Sequence, residues 1–239
     1  MNWHWSGVAE WRKRAHARQQ TEQAALPKQR DVRLRNWCIA FGITATAVIA
    51  SCLWLDQPIA LFVHRNVTEK TLFVWLQRLP VALPVISLFI LVWCGFWSLM
   101  NRPLSRVQSV ALACSISFLA SNLITNQLKY AFGRTWPDTW IENNPSLIQN
   151  GFFGFNPFHG GIGFAAFPSG HTAGLCSMMA VLWWAYPSWR SVYIACVVAT
   201  AIGLIGANFH FLSDVLAGVF VGSFVGYVTM EMSLARNEP

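Results

Sequence analysis

The sequence predicts an all-α integral membrane bundle of six transmembrane helices. Two observations carry this. Only 11% of the 239 residues are charged, while 54% are hydrophobic; an average soluble domain carries about 25% charged residues. The apolar residues also collect in continuous runs, and runs of about 17–25 residues cross a hydrocarbon core as helices. Barrel strands would alternate apolar and polar with period two. The length suits one compact bundle without a second domain.

Six runs qualify: Trp37–Leu55, Val81–Met100, Val107–Ile124, His171–Tyr186, Ser191–Asn208 and Leu212–Glu231. The fourth is short, and a tilted start in the preceding loop lengthens it. The first 35 residues are polar and basic, and the first run is too long for a signal-peptide core. That run therefore reads as an uncleaved signal anchor. Two parts follow: a basic N-terminal tail, residues 1–35, and a six-helix membrane domain, residues 36–239. All six cysteines fall in predicted helices without metal-type spacing, and read as small packing residues.

Lys and Arg favour short cytoplasmic segments. With the N-terminus inside, 12 of the 17 basic residues are cytoplasmic, and Arg65, Lys70, Arg78, Lys129 and Arg134 lie outside. Both termini are thus expected in the cytoplasm, with a bacterial inner membrane as the setting. The +7 charge reads as topology, not nucleic-acid binding, because the tail alone supplies eight basic and three acidic residues. With Trp3, Trp5 and Trp11 the tail suits an interfacial helix on anionic headgroups. A solvated tail that only fixes orientation fits equally. His4 and His16 read as solvated tail residues.

The longest connection, about Asn126 to Pro168, is rich in Gly, Pro, Asn and aromatic residues. A loop of that length in a compact protein is functional or disordered, and its aromatics argue against disorder. Gly160, Gly161 and Gly163 allow a hinge or close backbone approach. The outer segment Asp56 to Pro80 leaves room for a short interfacial helix, and His64 within it is expected to do no chemistry. Gly218, Gly222 and Gly226 recur every four residues in the last helix, a pattern that lets a neighbouring helix approach closely. Bundle packing is favoured over a dimer interface; the oligomeric state is otherwise open.

Three clusters fall at the outer face: KYAFGRTWP at Lys129–Pro137, FPSGH at Phe167–His171 and HFLSD at His210–Asp214. Distant segments bringing Lys, Arg, His and Asp to one face make a candidate site. Lys129 and Arg134 are placed to neutralise a phosphate, Arg as a bidentate fork, although snorkelling to headgroups describes such cations as well. Ser169-Gly170-His171 opens a helix, where free N–H groups and the dipole favour an anion; a simple N-cap role for Ser169 stands beside this. His210 and Asp214 share one helical face, so the carboxylate can fix the imidazole tautomer and leave the other nitrogen nucleophilic. Asp214 reads as the only acid near a membrane segment away from its cytoplasmic end, a position usually kept for function.

Taken together, the clusters resemble the type 2 phosphatidic acid phosphatase superfamily, the lipid phosphate phosphatases. The likeness is close over Lys129 to Asp214, and the six-helix layout extends it from about Trp37 to the C-terminus. It implies a hydrolase acting on lipid phosphates without metal or cofactor. His210 would attack phosphorus and form a phosphohistidine, Asp214 would orient it, and His171 would protonate the leaving alkoxide. Lys129, Arg134, Ser169 and Gly170 would hold the phosphoryl oxygens. Two positions depart from the family pattern. Trp136 precedes Pro137 where an Arg is usual, and Leu204 stands six residues before His210 where another is usual. Arg134, His159 and Asn208 are the candidates to compensate.

The family admits phosphatidic acid, phosphatidylglycerol phosphate, undecaprenyl pyrophosphate and phosphorylated lipid A as substrates. Phosphoryl transfer to another lipid uses the same residues. A non-catalytic lipid-phosphate binder is the reading that the two missing arginines motivate. A transporter fits poorly, because the runs lack ionisable residues near mid-membrane.

Overall fold

The computed structural model describes residues 32–78 and 80–235. The chain divides into two compact units, Met1–Ile43 and Thr44–Pro239. Of the first, residues 32–43 are described and helical. The expected basic tail lies outside the described residues except for 32–35, and so does the interfacial role read for Trp3, Trp5 and Trp11. The second unit is helical, with no strand among its described residues.

Helix α1 covers Val32–Asn66. It widens into a π turn at Ser51–Leu55 and resumes as α-helix at Asp56. Pro58 explains the position: it has no N–H for the ladder, and its ring crowds the preceding turn. A short helix α2, Thr71–Gln77, lies in the segment expected to hold one. Helix α3, Leu83–Leu99, begins with Pro84 in its first turn, where the missing N–H is no loss. Helix α4, Arg106–Phe132, opens on a capping box in which Ser105 accepts from the Gln108 N–H and the Gln108 side chain accepts in return. Helix α5, Gly170–Ala185, starts at the Ser169 cap. Helices α6, Arg190–Gly206, and α7, Leu212–Ala235, complete the unit.

Among the described residues, four helical segments are long and apolar enough to cross a membrane: Val32–Asn66, Arg106–Phe132, Pro187–Gly206 and Leu212–Ser233. Helix α3 is apolar but has 17 residues. Helix α5 has 16 residues, about 24 Å at ~1.5 Å per residue, against a core of about 30 Å. Among the described residues the membrane protein is thus all-helical, with four helices long enough to span and two shorter helices at the other expected positions. Its surface is apolar, with side chains such as Val85 and Leu99 74% and 83% exposed, as lipid contact requires.

One boundary differs in a way that matters. The apolar run predicts a third span ending near Ile124, but α4 continues to Phe132. The run stops because Asn126, Gln127 and Lys129 are polar, yet nothing breaks the helix before Gly133. That residue adopts a left-handed conformation, φ +57°, and its N–H bonds to the Lys129 carbonyl. Lys129 therefore sits on the last helical turn and not in the loop.

Helix α5 packs mainly against α7 and α4. A Cβ on Gly218, Gly222 or Gly226 would run into the carbonyl oxygens of Ser169, Ala173 and Ser177 respectively. The four-residue stripe on α7 thus faces a matching ladder of α5 backbone, the close approach that small residues permit. The Ser117 hydroxyl of α4 donates to the Ser177 carbonyl, the same oxygen that faces Gly226. Replacing Gly222 by Val is expected to push α5 away and cost about 1–3 kcal/mol. Thermal unfolding in detergent reads this, with Gly95→Ala, where a Cβ meets nothing within 4 Å, as a control that loses no stability.

Candidate active site

Gly133 turns the chain so that the next side chain, Arg134, enters the protein. Main-chain bridges pair Arg134 with Phe155 and with Ala165, and the Ala166 N–H donates to the Arg134 carbonyl. The long loop is therefore folded around Arg134, and its glycines serve close contact: a Cβ on Gly163 would come within 2.8 Å of the Pro145 ring. The guanidinium is fully buried. Phe153, Phe155 and Phe211 lie over it, with ring centroids 5.5, 4.8 and 4.4 Å from Cζ, at cation–π range.

Two carboxylates meet this cation. Its Nη1 donates to Asp214 Oδ1 at 2.5 Å, and its Nη2 donates to Asp56 Oδ2 at 2.6 Å. Burial works against the charge, but Asp214 and then Asp56 outweigh it and raise the Arg134 pKa. Ser213 joins the cluster: its N–H donates to Asp56 Oδ1 at 3.0 Å and its hydroxyl to Asp56 Oδ2. The Ser51 hydroxyl, from the π turn, donates to Asp56 Oδ1 at 2.9 Å.

The other oxygen of Asp214 serves the histidine. Asp214 Oδ2 lies 3.3 Å from His210 Nδ1 and accepts the Phe211 N–H at 2.9 Å. With the proton on Nδ1, Nε2 carries the lone pair. His210 sits in the turn between α6 and α7, where its N–H and that of Phe209 both reach the Leu204 carbonyl. Burial lowers the His210 pKa, overcoming the opposite pull of Asp214, so the ring stays neutral below the usual imidazole range.

The second and third motifs are bonded directly: the Ser169 N–H donates to the Asp214 carbonyl at 3.0 Å. Ser169 caps α5, accepting from the Thr172 N–H and hydroxyl at 3.4 and 3.0 Å, and keeps its own hydroxyl proton to donate. Lys129 Nζ lies 3.3 Å from the point where a Cβ on Gly170 would stand, so its ammonium occupies space that only glycine leaves open. Half-buried His171 lies within electrostatic reach of His210 and Lys129.

His210, Asp214, His171, Lys129, Ser169 and Gly170 are thus brought together. Arg134 is also there, but with its terminal nitrogens engaged by Asp56, Asp214 and Ser213. That differs from the free phosphate fork expected of it. The compensating residues do not fill the gap either. Asn208 donates its amide to the Ala60 carbonyl at 3.1 Å, and exposed His159 meets Phe164 edge-on, with ring centroids 4.1 Å apart. Leu204 is buried in the core. Trp136 packs its ring against His210, centroids 5.0 Å apart, and donates Nε1–H to the Ile162 carbonyl at 2.7 Å. Exposed His64 takes no part.

Sequence reasoning does not find Asp56 and Ser213. The reading of Asp214 as the only acid near a span away from its cytoplasmic end is corrected by Asp56, which follows the first apolar run and is likewise buried. Its one sequence signal is an acid immediately after an apolar span. Among the described residues, no group of three His, Cys, Asp or Glu side chains is arranged to hold a metal ion.

A membrane-embedded helical fold with a buried His–Asp pair beside a cationic helix start defines a class, the membrane phosphatases. The sequence profile of the PAP2 superfamily matches residues 110–238, more than half the chain, and the chain belongs to that family. Lipid A 1-phosphatases of Rhizobium etli and Rhizobium johnstonii are each 28% identical to it over 201 residues, or 81% of this chain and 83% and 79% of theirs. The crystal structure of a transmembrane PAP2-type phosphatidylglycerolphosphate phosphatase from Bacillus subtilis shares the fold. Its TM-score is 0.55 at 14% identity, covering 83% of this chain and 96% of that one. The protein is a phosphatase of this family.

Removing one partner of a buried ion cluster strands the others, at about 3–5 kcal/mol. Arg134→Met is expected to lower the melting temperature or the folded yield sharply, by circular dichroism and size-exclusion chromatography. Lys129→Met, which strands no buried carboxylate, is expected to unfold near the wild-type temperature.

Proposed function

We propose that the protein is a metal-independent phosphatase of lipid phosphates or pyrophosphates, acting through a phosphohistidine on His210. The observation that carries this is the division of Asp214: one oxygen on His210, the other on Arg134. A carboxylate so fixed holds the imidazole in the tautomer that leaves Nε2 as nucleophile.

In the first step Nε2 bonds to phosphorus as the bond to the leaving oxygen breaks. His171 gives its proton to that oxygen. The positive charge that develops on the phosphorylated ring faces Asp214. Lys129, Ser169 and the backbone at Gly170 neutralise the equatorial oxygens, as preorganised donors do where charge grows. In the second step His171 takes a proton from water, the water oxygen attacks phosphorus, and the P–N bond breaks to restore His210 and release inorganic phosphate.

Phosphorylated lipid A is the substrate we favour, because relatives named lipid A 1-phosphatase align over 81% of this chain. Phosphatidic acid, phosphatidylglycerol phosphate and undecaprenyl pyrophosphate are the comparison substrates. We further propose that α3 and α5 also cross the membrane, giving six spans. The basic bias then puts both termini in the cytoplasm and the site at the periplasmic face of a bacterial inner membrane.

Detergent-purified protein with chelator present is expected to release phosphate from lipid A or another member of that panel, and His210→Ala to lose turnover. Acid-labile, base-stable 32P-label on wild type but not on His210→Ala checks the intermediate. Turnover of wild type with no dependence on His210 would overturn the mechanism. For topology, a C-terminal green fluorescent protein is expected to fluoresce, and alkaline phosphatase fused after Phe152 to be active.

A further inference from the structure

The ion cluster contains one residue more than holding His210 requires. Asp214 alone fixes the imidazole, and Arg134 alone would balance Asp214. Yet a second carboxylate, Asp56, is brought from α1 to the opposite end of the guanidinium, fully buried, with three further donors from Ser51 and Ser213 fixing it. Buried carboxylates are expensive unless paired and hydrogen-bonded; Asp56 is both, and it shares the cation that grips Asp214.

The charges alternate along a line of contacts: Asp56, Arg134, Asp214, His210. Were Arg134 to face Asp214 alone, its whole charge would draw on that carboxylate and weaken its hold on the histidine. Asp56 shares the guanidinium, so Asp214 keeps negative charge toward Nδ1. Such a balance matters most when the ring becomes cationic, in a site dry enough that charge is little screened. The same geometry removes Arg134 from the substrate, because both its terminal nitrogens are already occupied and aromatic rings cover it.

We propose that Asp56 and Arg134 are positioning residues that set the charge and orientation of Asp214 toward His210, and that Arg134 does not hold the substrate phosphate. This rests on the phosphohistidine reading above. Outer carboxylates that orient a working histidine are worth about 10–100-fold in metal sites, and a loss of that order is expected here.

The test uses full-length protein in mixed micelles with phosphorylated lipid A and phosphatidic acid. Asp56→Asn is expected to lower kcat by about 10–100-fold with KM nearly unchanged; an unchanged kcat overturns the proposal. Arg134→Met/Asp56→Asn, which removes both charges, is expected to be more active than Arg134→Met alone and to keep the wild-type KM. A KM raised in every variant lacking Arg134, with kcat preserved, would mean that Arg134 binds phosphate and would overturn it as well. Should Asp56→Asn not fold, Ser51→Ala strips one donor from Asp56 and is expected to lose about three- to tenfold in kcat, again without change in KM. If wild type turns over no lipid, the phosphatase reading itself fails. The positioning claim is then read by 15N NMR of histidine-labelled protein: Asp56→Asn changes the His210 Nδ1 signal if it holds, and leaves it unmoved if it does not.

Discussion

Burying a guanidinium costs several kcal/mol unless carboxylates meet it inside the protein, and Arg134 is met by two. Those carboxylates come from α1 and from the start of α7, while Arg134 follows α4 directly. One cation therefore ties together three parts of the fold that are far apart in sequence. The aromatic loop folds against the same residue, pairing its main chain with that of Arg134 on two sides. In a membrane, where helices gain little from hydrophobic association, such a tie supplies specificity that lipid-facing apolar surface cannot.

Around this tie the histidines of the candidate site are mounted with little freedom. The glycine stripe of α7 sets the depth at which α5 lies, and the bond from the Ser169 N–H to the Asp214 carbonyl sets its height. His171 and His210 thus belong to one backbone-to-backbone seam. The α5 start carries fewer cations than the family pattern: Lys129 stands there, while Trp136 fills the place of one arginine and packs on His210. The site combines a histidine held firmly by a carboxylate with a lightly charged helix start.

The apolar runs reveal the helices because length and hydropathy are local properties, and Ser105, Ser169 and Gly133 mark their ends through equally local chemistry. The residues of the PSGH and HxxxD elements are legible for the same reason. Asp56 is not. It follows an apolar run and precedes Pro58, so it reads as the first residue of a loop; its partner lies 78 positions away. Arg134 is visible in the sequence, but its surroundings are not. An arginine at a membrane boundary reads as outward-facing, and only the folded loop shows three aromatic rings closing over it.

The π turn at Ser51–Leu55 has a further meaning. A turn of that kind holds one residue more than an α turn, and one residue in an α-helix is about 100° of rotation. Everything beyond it is therefore rotated relative to a regular continuation of α1. Winding the same residues as a regular α-helix would turn Asp56 by about 100° away from Arg134, whereas deleting one residue from the turn would close the ladder and leave Asp56 in place. The wide turn is in this sense what aims the second carboxylate, and a regular helix of the same residues would span the membrane equally well and carry no charge to the site.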